Sequence, residues 1–465
     1  MEENKRQTYY FLGIGGIGMS AIARYLNMQG HKVMGYDRTK SSLTKELEAE
    51  GIEINYEDTE ENLPQNIDMC IYTPAIPEDN RQFQTIKQRG IAIEKRSVAL
   101  GHITKSKKVI AVSGSHGKTT TCGMIAHILY DSEIGCSAFL GGILKSANNN
   151  FLFNHNSPYV VVEADEYDRS FLQLSPFVSV ITSIDADHLD IYGNYDNLYK
   201  AFEDFALLTN NNGQLIVKSE KEKLIKELKD KKNLSTYALS DIEADTYAWN
   251  IRIYKGEYFF DLNDGGETFF DFQMSYPGKH NIENVVVAIK VCNFILKQEG
   301  LNKKQREEIL RKGVKTFSGM KRRLDYVIRT EQRIFIDDYA HHPKEIEATV
   351  SSLREMYPNK HLTGIFQPHL YSRTKDLAQE FAKSLQLLDT IILLPIYPAR
   401  EKSIEGVTSH LILHKINKMD KYYVNKQQLY PLLEALQPEF LITMGAGDID
   451  REIDKIKQTL INLDK

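Results

Sequence analysis

The hydrophobic positions of this chain fall in short unbroken runs separated by stretches of helical periodicity. "YYFLGI" (9–14), "KVMGYD" (32–37) and "DMCIYTPAI" (68–76) have strand length, and "SSLTKELEAEG" (41–51) between them reads as a helix. Such strand–helix alternation predicts a parallel sheet. After a basic polar break at "HITKSKK" (102–108), the strand "KVIAVSG" (108–114) opens a second unit. Within it, "PYVVVEAD" (158–165) and "FVSVITSID" (177–185) do not alternate, as expected of strands buried on both faces. Residues 232–278 do alternate, carry many aromatics and have turn signals at "KGE" (255–257) and "NDGG" (263–266), which predicts an antiparallel insertion. A third βα series follows "FSGMKRRLD" (317–325) with the runs "RIFIDDYA" (333–340), "HLTGIFQPH" (361–369), "DTIILLPIY" (389–397) and "FLITMGAGD" (440–448).

The pattern predicts an α/β chain of three domains. They are a Rossmann-like domain over 1–105, a central parallel sheet of the P-loop ATPase type with a small antiparallel insertion over 106–320, and a second Rossmann-like domain over 321–465. Hinges are expected near 103–108 and 318–324. A length of 465 residues agrees with roughly three domains. A hydrophobic content of 42% supports packed cores, and a net charge of −5 gives no footprint for nucleic acid. No apolar run reaches the roughly 18 residues that span a bilayer, and "MEENKRQTYY" lacks a signal-peptide core, so a cytoplasmic protein is expected. Cys70, Cys122, Cys136 and Cys292 stand far apart, which suggests reduced thiols and neither a zinc site nor a disulfide framework.

Two glycine-rich turns carry the chemistry. Gly13, Gly15 and Gly18 have the Gly-x-Gly-x-x-Gly spacing of a dinucleotide-binding turn, with Asp37 placed to hold a ribose or to cap the next turn. Alone, this motif suits a nicotinamide-dependent dehydrogenase. The second turn, "SGSHGKTTT" (113–121), joins a strand to a helix and reads as a phosphate loop. Backbone amides of Gly114, Ser115, His116 and Gly117 would cradle phosphates, together with Lys118, Thr119 and Thr120 at the helix start. Lys118 brings a point charge and Thr119 a hydroxyl able to ligate Mg²⁺. The strict Walker pattern wants Gly where Val112 stands. Such a loop also fits a nucleotide-dependent switch protein.

Acidic residues follow the next two strands. Glu163 and Asp165 end one run, with Glu166 and Asp168 beyond. Asp185, Asp187, His188 and Asp190 follow the other. Ligands bind at the carboxyl ends of strands in open α/β sheets, and Mg²⁺ prefers oxygen donors, so Glu163 is the natural metal ligand and His188 a less usual one.

These stretches, with "GKHNIENVVVAI" (278–289), "DDYAHHPKEI" (337–346) and "FQPHLYSRT" (366–374), resemble the Mur ligases in type and order from Phe11 to Ile449. His116 in the phosphate loop and the pair His341-His342 are similar to the branch that adds L-alanine to UDP-N-acetylmuramate. The resemblance implies an ATP- and Mg²⁺-dependent amide ligase of peptidoglycan synthesis, working through an acyl phosphate. It implies that Gly13, Gly15, Gly16, Gly18 and Asp37 hold the UDP-sugar rather than NAD. Lys118 and Thr119 would serve ATP, Glu163 and His188 the metal, and Asn281, Asn284, Arg323 and Asp338 the nucleotide. Lys118, His188, Arg323 and Asp338 are thus the catalytic candidates. His341 and Arg373, with Arg400 weaker still, are candidates for the amino acid. Outside the family, Asn281 and Asn284 read equally well as helix-start caps and "KRR" (321–323) as a solvated linker. The tripeptide-recycling ligases are the rival branch. Lys200 is left as a surface lysine rather than a modified metal-supporting one. UDP-N-acetylmuramate and L-alanine are the expected partners, nucleic acid and membrane are not, and the chain is expected to act as a monomer or weak homodimer.

Overall fold

A computed structural model describes residues 6–185, 189–399 and 401–464. Its strands form three sheets, and the chain divides into two compact units. The first unit holds the chain up to Asn250 with Phe260–Phe272 and Glu283–Phe317, and the second holds Ile251–Phe259, Gln273–Ile282 and Ser318–Lys465.

The N-terminal sheet has five strands in the order Glu53–Asn55, Lys32–Tyr36, Thr8–Leu12, Met69–Tyr72, Ala92–Lys95, all parallel. Strand order reverses beside Thr8–Leu12, and such a switch point opens the crevice in which α/β sheets bind ligands. The first glycine turn leaves this strand directly. Side chains alternate across it: Phe11 packs with Ile14, Val33 and Ile71 on one face, and Tyr10 and Leu12 with Cys70 and Phe83 on the other.

The central sheet has ten strands. In spatial order they are Glu267–Met274, Glu257–Asp264, Thr246–Tyr254, Leu234–Ala238, Gln214–Lys218, Pro176–Ile181, Lys108–Ser113, Tyr159–Glu163, Ser137–Leu144 and Asn149–Leu152. Lys108–Ser113 lies between Pro176–Ile181 and Tyr159–Glu163, parallel to both, so the phosphate loop and both acidic strand ends emerge on the same side. The alternating stretch 232–278 corrects the sequence reading. It continues this sheet, and its first strand, Leu234–Ala238, pairs parallel rather than antiparallel with both Gln214–Lys218 and Thr246–Tyr254. The helix Glu222–Leu228 supplies the crossover that parallel pairing needs. As Ser137–Leu144 and Asn149–Leu152 are at the sheet's other edge, the last three strands within this stretch are joined as hairpins. Their turns, Lys255-Gly256 (φ 50° and 71°) and Gly265-Gly266 (φ 57° and 84°), have two successive left-handed residues, the primed-turn geometry that matches strand twist.

The polar break at "HITKSKK" is shorter than its composition suggests. His102–Thr104 complete the helix Arg96–Thr104 and Lys108 already begins a strand, leaving residues 105–107 as connection. The N-terminal sheet and the central sheet from Leu234–Ala238 to Asn149–Leu152 belong to one compact unit.

In the second unit, Phe440–Met444 lies between Ile334–Asp338 and Leu362–Phe366, parallel to both. Thr390–Leu393 and Lys421–Tyr423 continue the sheet in parallel, while Asp325–Arg329 closes the other edge antiparallel. Apolar clusters cover both faces, one around Ile336, Phe366 and Ile442 and one around Phe335, Ile365 and Leu441. Among the described residues no helix is long and apolar enough to cross a membrane. All four cysteines are buried and unbridged, and burial pushes the Cys70 thiol up to about 12.

Candidate active site

The phosphate loop is held rigidly by the neighbouring strand end. Thr182 Oγ1 donates to the His116 carbonyl at 2.6 Å, Ser183 accepts the Ser115 amide at 3.2 Å through its carbonyl and the His116 amide at 2.9 Å through Oγ, and Ser115 Oγ accepts the Asp185 amide at 2.9 Å. Gly114 (φ +135°) and Gly117 (φ +80°) take conformations that side chains resist. A Cβ on Gly114 would lie 2.1 Å from Thr182 Oγ1, and one on Gly117 2.6 Å from Asn284 Oδ1. Gly117 caps the helix Lys118–Tyr130, whose N-terminal amides and dipole favour an anion there. His116 is exposed, with Nε2 3.6 Å from Asp185 Oδ2, and Thr120 is buried.

Each reactive side chain at the helix start meets an acid. Thr119 Oγ1 donates to Glu163 Oε1 at 3.1 Å, while Glu163 Oε2 accepts the Gly141 amide at 3.0 Å. A Cβ on Gly141 would stand 2.2 Å from that oxygen, so the backbone approach requires glycine. Lys118 Nζ lies 2.8 and 2.9 Å from the two carboxylate oxygens of Glu166 and 2.6 Å from the Gly114 carbonyl. Glu166, only 1% exposed, stands in a loop braced on both sides: Asp165 pairs with Arg96 at 3.4 Å and Asp168 with Lys95 at 3.0 Å. Tyr192 donates to the Glu166 carbonyl at 2.5 Å, and burial pushes its phenol up to about 12.

Thr119 and Glu163 form a pair of oxygen donors suited to a hard cation. Among the described residues no group of three or more His, Cys, Asp and Glu side chains gathers as a metal cage. His188, with Asp187, falls outside the described residues, as does Arg400. Lys200 sits on an exposed helix face, paired with Glu203 at 2.9 Å and Asp204 at 3.3 Å.

The first glycine turn is built on the same backbone plan. Gly13 (φ +82°) donates to the Tyr36 carbonyl at 2.8 Å, and Gly16 donates to Gly13 at 3.2 Å. Asp37 accepts the Gly15 amide at 2.9 Å and the Thr39 amide at 2.9 Å. A Cβ on Gly15 would stand 2.8 Å from Asp37 Oδ2, and one on Gly18 2.4 Å from Arg96 Nη1. The Arg96 guanidinium thus lies against the start of the helix Ile17–Met28.

In the second unit, Asp338 is buried, accepting the Ala340 amide at 3.1 Å and the Thr349 hydroxyl at 2.8 Å. Burial raises its carboxyl above the usual range and the charge of Arg323 pulls it back. Arg323 stacks on the Tyr339 ring at 5.4 Å, and its carbonyl accepts from Tyr276. Asn281 is buried and donates to the Pro277 carbonyl at 2.6 Å, whereas Asn284 belongs to the first unit, beside Gly117 and 3.4 Å from Thr121 Oγ1. His341 lies 3.0 Å from the Tyr339 carbonyl and 6.0 Å, ring to ring, from His369, which stacks on Tyr397. Burial lowers the pKa of both histidines. His369 Nδ1 and Arg373 Nη1 are buried with no hydrogen-bond partner among the described residues. Between them Leu370 adopts φ +72°, a region where strain marks functional sites.

Sequence reasoning named Glu166 only as one acid in a cluster and missed Arg96, Gly141 and Tyr192. An acid three residues past the strand-end Glu163 was the available signal for Glu166. The others come from elements distant in sequence, with no motif to mark them.

Comparison with known proteins covers nearly the whole chain. The Mur ligase family's catalytic-domain model matches residues 8–108, the Mur ligase middle-domain model residues 112–292 and the Mur ligase glutamate-ligase-domain model residues 322–447. UDP-N-acetylmuramate–L-alanine ligase of Christiangramia forsetii is 42% identical over 465 residues, covering 99% of each chain. The crystal structure of UDP-N-acetylmuramate–alanine ligase from Thermotoga maritima is 27% identical and superposes with a TM-score of 0.81 over 98% of this chain and 99% of that one. A murein peptide ligase from Psychrobacter arcticus, at 20% identity, shares the fold with a TM-score of 0.67 over 98% of both chains.

Proposed function

The chain belongs to the Mur ligase family, and on that premise we propose that it joins L-alanine to UDP-N-acetylmuramate at the expense of ATP. The observation that carries this reading is the phosphate loop with its lysine and threonine each set against an acid, beside a second, separate glycine turn in the same unit. A dehydrogenase has no use for the former, and a nucleotide switch none for the latter.

A carboxylate resists attack by an amine because oxide is a poor leaving group. Attack of a muramoyl carboxylate oxygen on the γ-phosphorus of ATP breaks its bond to the bridging oxygen, releasing ADP and giving an acyl phosphate. The amine of L-alanine attacks its carbonyl carbon, and phosphate leaves as the tetrahedral intermediate collapses. The protein's task is to position the reactants and to neutralise charge. In this reading Gly114–Gly117 and the helix behind them cradle the ATP phosphates, and Lys118 meets the terminal ones. Thr119 and Glu163 would hold Mg²⁺, joined by His188. A metal held there would supply neutralisation of phosphate charge. Gly13–Gly18 receive the UDP diphosphate at their helix start, with Asp37 fixing the turn. Arg323 and Asp338 serve the nucleotide. Arg373, whose buried Nη1 lacks a hydrogen-bond partner among the described residues, suits the carboxylate of the amino acid, with His341 near it. A cytoplasmic setting, where ATP and UDP-sugars are found, belongs to the same reading.

Phosphate release from ATP and Mg²⁺ with UDP-N-acetylmuramate tests the proposal, with L-alanine, glycine, L-serine and the stem tripeptide supplied separately. L-Alanine is expected to drive release, with a product of matching mass. Discrimination against glycine is limited, since one methyl in an apolar pocket is worth about 1–3 kcal/mol. Release only with tripeptide would move the chain to the recycling branch.

A further inference from the structure

Lys118 is engaged by its own protein on all three of its N–H bonds. Its acceptors are the Gly114 carbonyl at 2.6 Å and the two Glu166 carboxylate oxygens at 2.8 and 2.9 Å. Glu166 is 1% exposed, and among the described residues Lys118 is the only cation within ion-pair distance of it. Removing one partner of such a buried pair leaves an uncompensated charge in a low-dielectric setting. Swinging the ammonium away to a ligand would leave Glu166 as that uncompensated charge, which favours meeting the phosphates from where Glu166 holds it.

We propose that Glu166 is the positioning residue of the phosphate-loop lysine, fixing its ammonium at the loop so that the transferred phosphoryl group meets a charge already in place. A preorganised cation needs no reorganisation as charge develops, which is the property that lowers a barrier. The loop around Glu166 suits this task. Its carbonyl accepts from the Tyr192 hydroxyl at 2.5 Å and from the Arg169 amide at 3.0 Å. Asp168 and Arg169 take left-handed φ values of 51° and 54°, turning the chain sharply after it. The flanking carboxylates are clamped by Arg96 and Lys95, so neither competes for Lys118.

The inference rests on the reading that this loop binds ATP, and the test separates the two. Glu166→Gln keeps shape and removes charge; Glu166→Asp keeps charge and draws the ammonium back. In the full chain at saturating UDP-N-acetylmuramate and L-alanine, kcat is expected to fall about 100-fold for E166Q and about tenfold for E166D. The KM for L-alanine should stay within twofold, which a general loss of structure would not allow. In parallel, titration with a non-hydrolysable ATP analogue is expected to show weaker binding by about tenfold for E166Q, with ADP affected less. Rates within twofold of the parent for E166Q, or an equal change in every kinetic constant with a lowered Tm, would overturn the proposal. Should E166Q fail to fold, E166D decides alone: a parent-like kcat overturns it. A parent enzyme that binds the analogue but makes no amide would remove the ligase reading, and the titration would still decide the role of Glu166.

Discussion

The two glycine turns of the first unit start from the same backbone physics and end in different electrostatics. Each leaves the carboxyl end of a parallel strand, uses left-handed glycines (Gly13; Gly114 and Gly117), and opens a helix of 12 or 13 residues. In the N-terminal turn an acid, Asp37, takes the Gly15 amide. The turn's cation, Arg96, comes from the last helix of that sheet and lies against Gly18. In the central turn the cation is part of the turn, and the acid, Glu166, binds that cation rather than the backbone. A glycine spacing therefore specifies a place where an anion can approach, and the nearest side-chain charge decides what is done with it. One arrangement suits a diphosphate that stays intact, and the other a phosphoryl group that moves.

The sharpest way to break this contrast is Lys118→Ala. Amide formation is expected to drop about a thousandfold or more, while equilibrium affinity for UDP-N-acetylmuramate stays within twofold. A comparable fall in both would mean that the turns are not separate in function. Glu163→Gln, next in size, should raise the Mg²⁺ concentration for half-maximal rate by about 10–100-fold, read in a metal titration. Gly117→Ala sets a side chain at φ +80° and 2.6 Å from Asn284 Oδ1, so a loss of about 1–3 kcal/mol in thermal or urea unfolding is expected, with a raised KM for ATP. Its counterpart Asp37→Asn weakens a charge-assisted bond to Gly15 and should raise the KM for the UDP-sugar about fivefold, leaving that for ATP unchanged. Lys200→Ala, at an exposed ion pair, is expected to leave every kinetic constant unchanged. A large loss would return Lys200 to the metal site.

Strand positions and both turns were legible because each depends on residues adjacent in sequence: an apolar run, a glycine at a forced φ, a helix start. The partners of those turns were not. Gly141 reaches Glu163 across 22 residues, Arg96 reaches Asp165 across 69, and Lys118 reaches Glu166 across 48. Only chain folding brings these together. The stretch 232–278 misled for a related reason. Alternation reports that one face of a strand is covered and says nothing of the direction of its neighbour, so Leu234–Ala238 looked antiparallel and paired parallel. Asn281 and Asn284, three residues apart in one helix, likewise gave no sign that they divide between the two compact units.

The four buried thiols have a practical consequence. All of them, Cys70 in the N-terminal sheet and Cys122, Cys136 and Cys292 in the central part, lie in the first unit, and the second contains none. A thiolate is the reactive form, and burial holds these groups protonated. The native chain is therefore nearly silent to maleimides, and labelling of its own cysteines is a clock for opening of the first unit alone. A cysteine introduced on the surface of the second unit would then be the single fast-reacting site, ready for a fluorophore without removing any native residue.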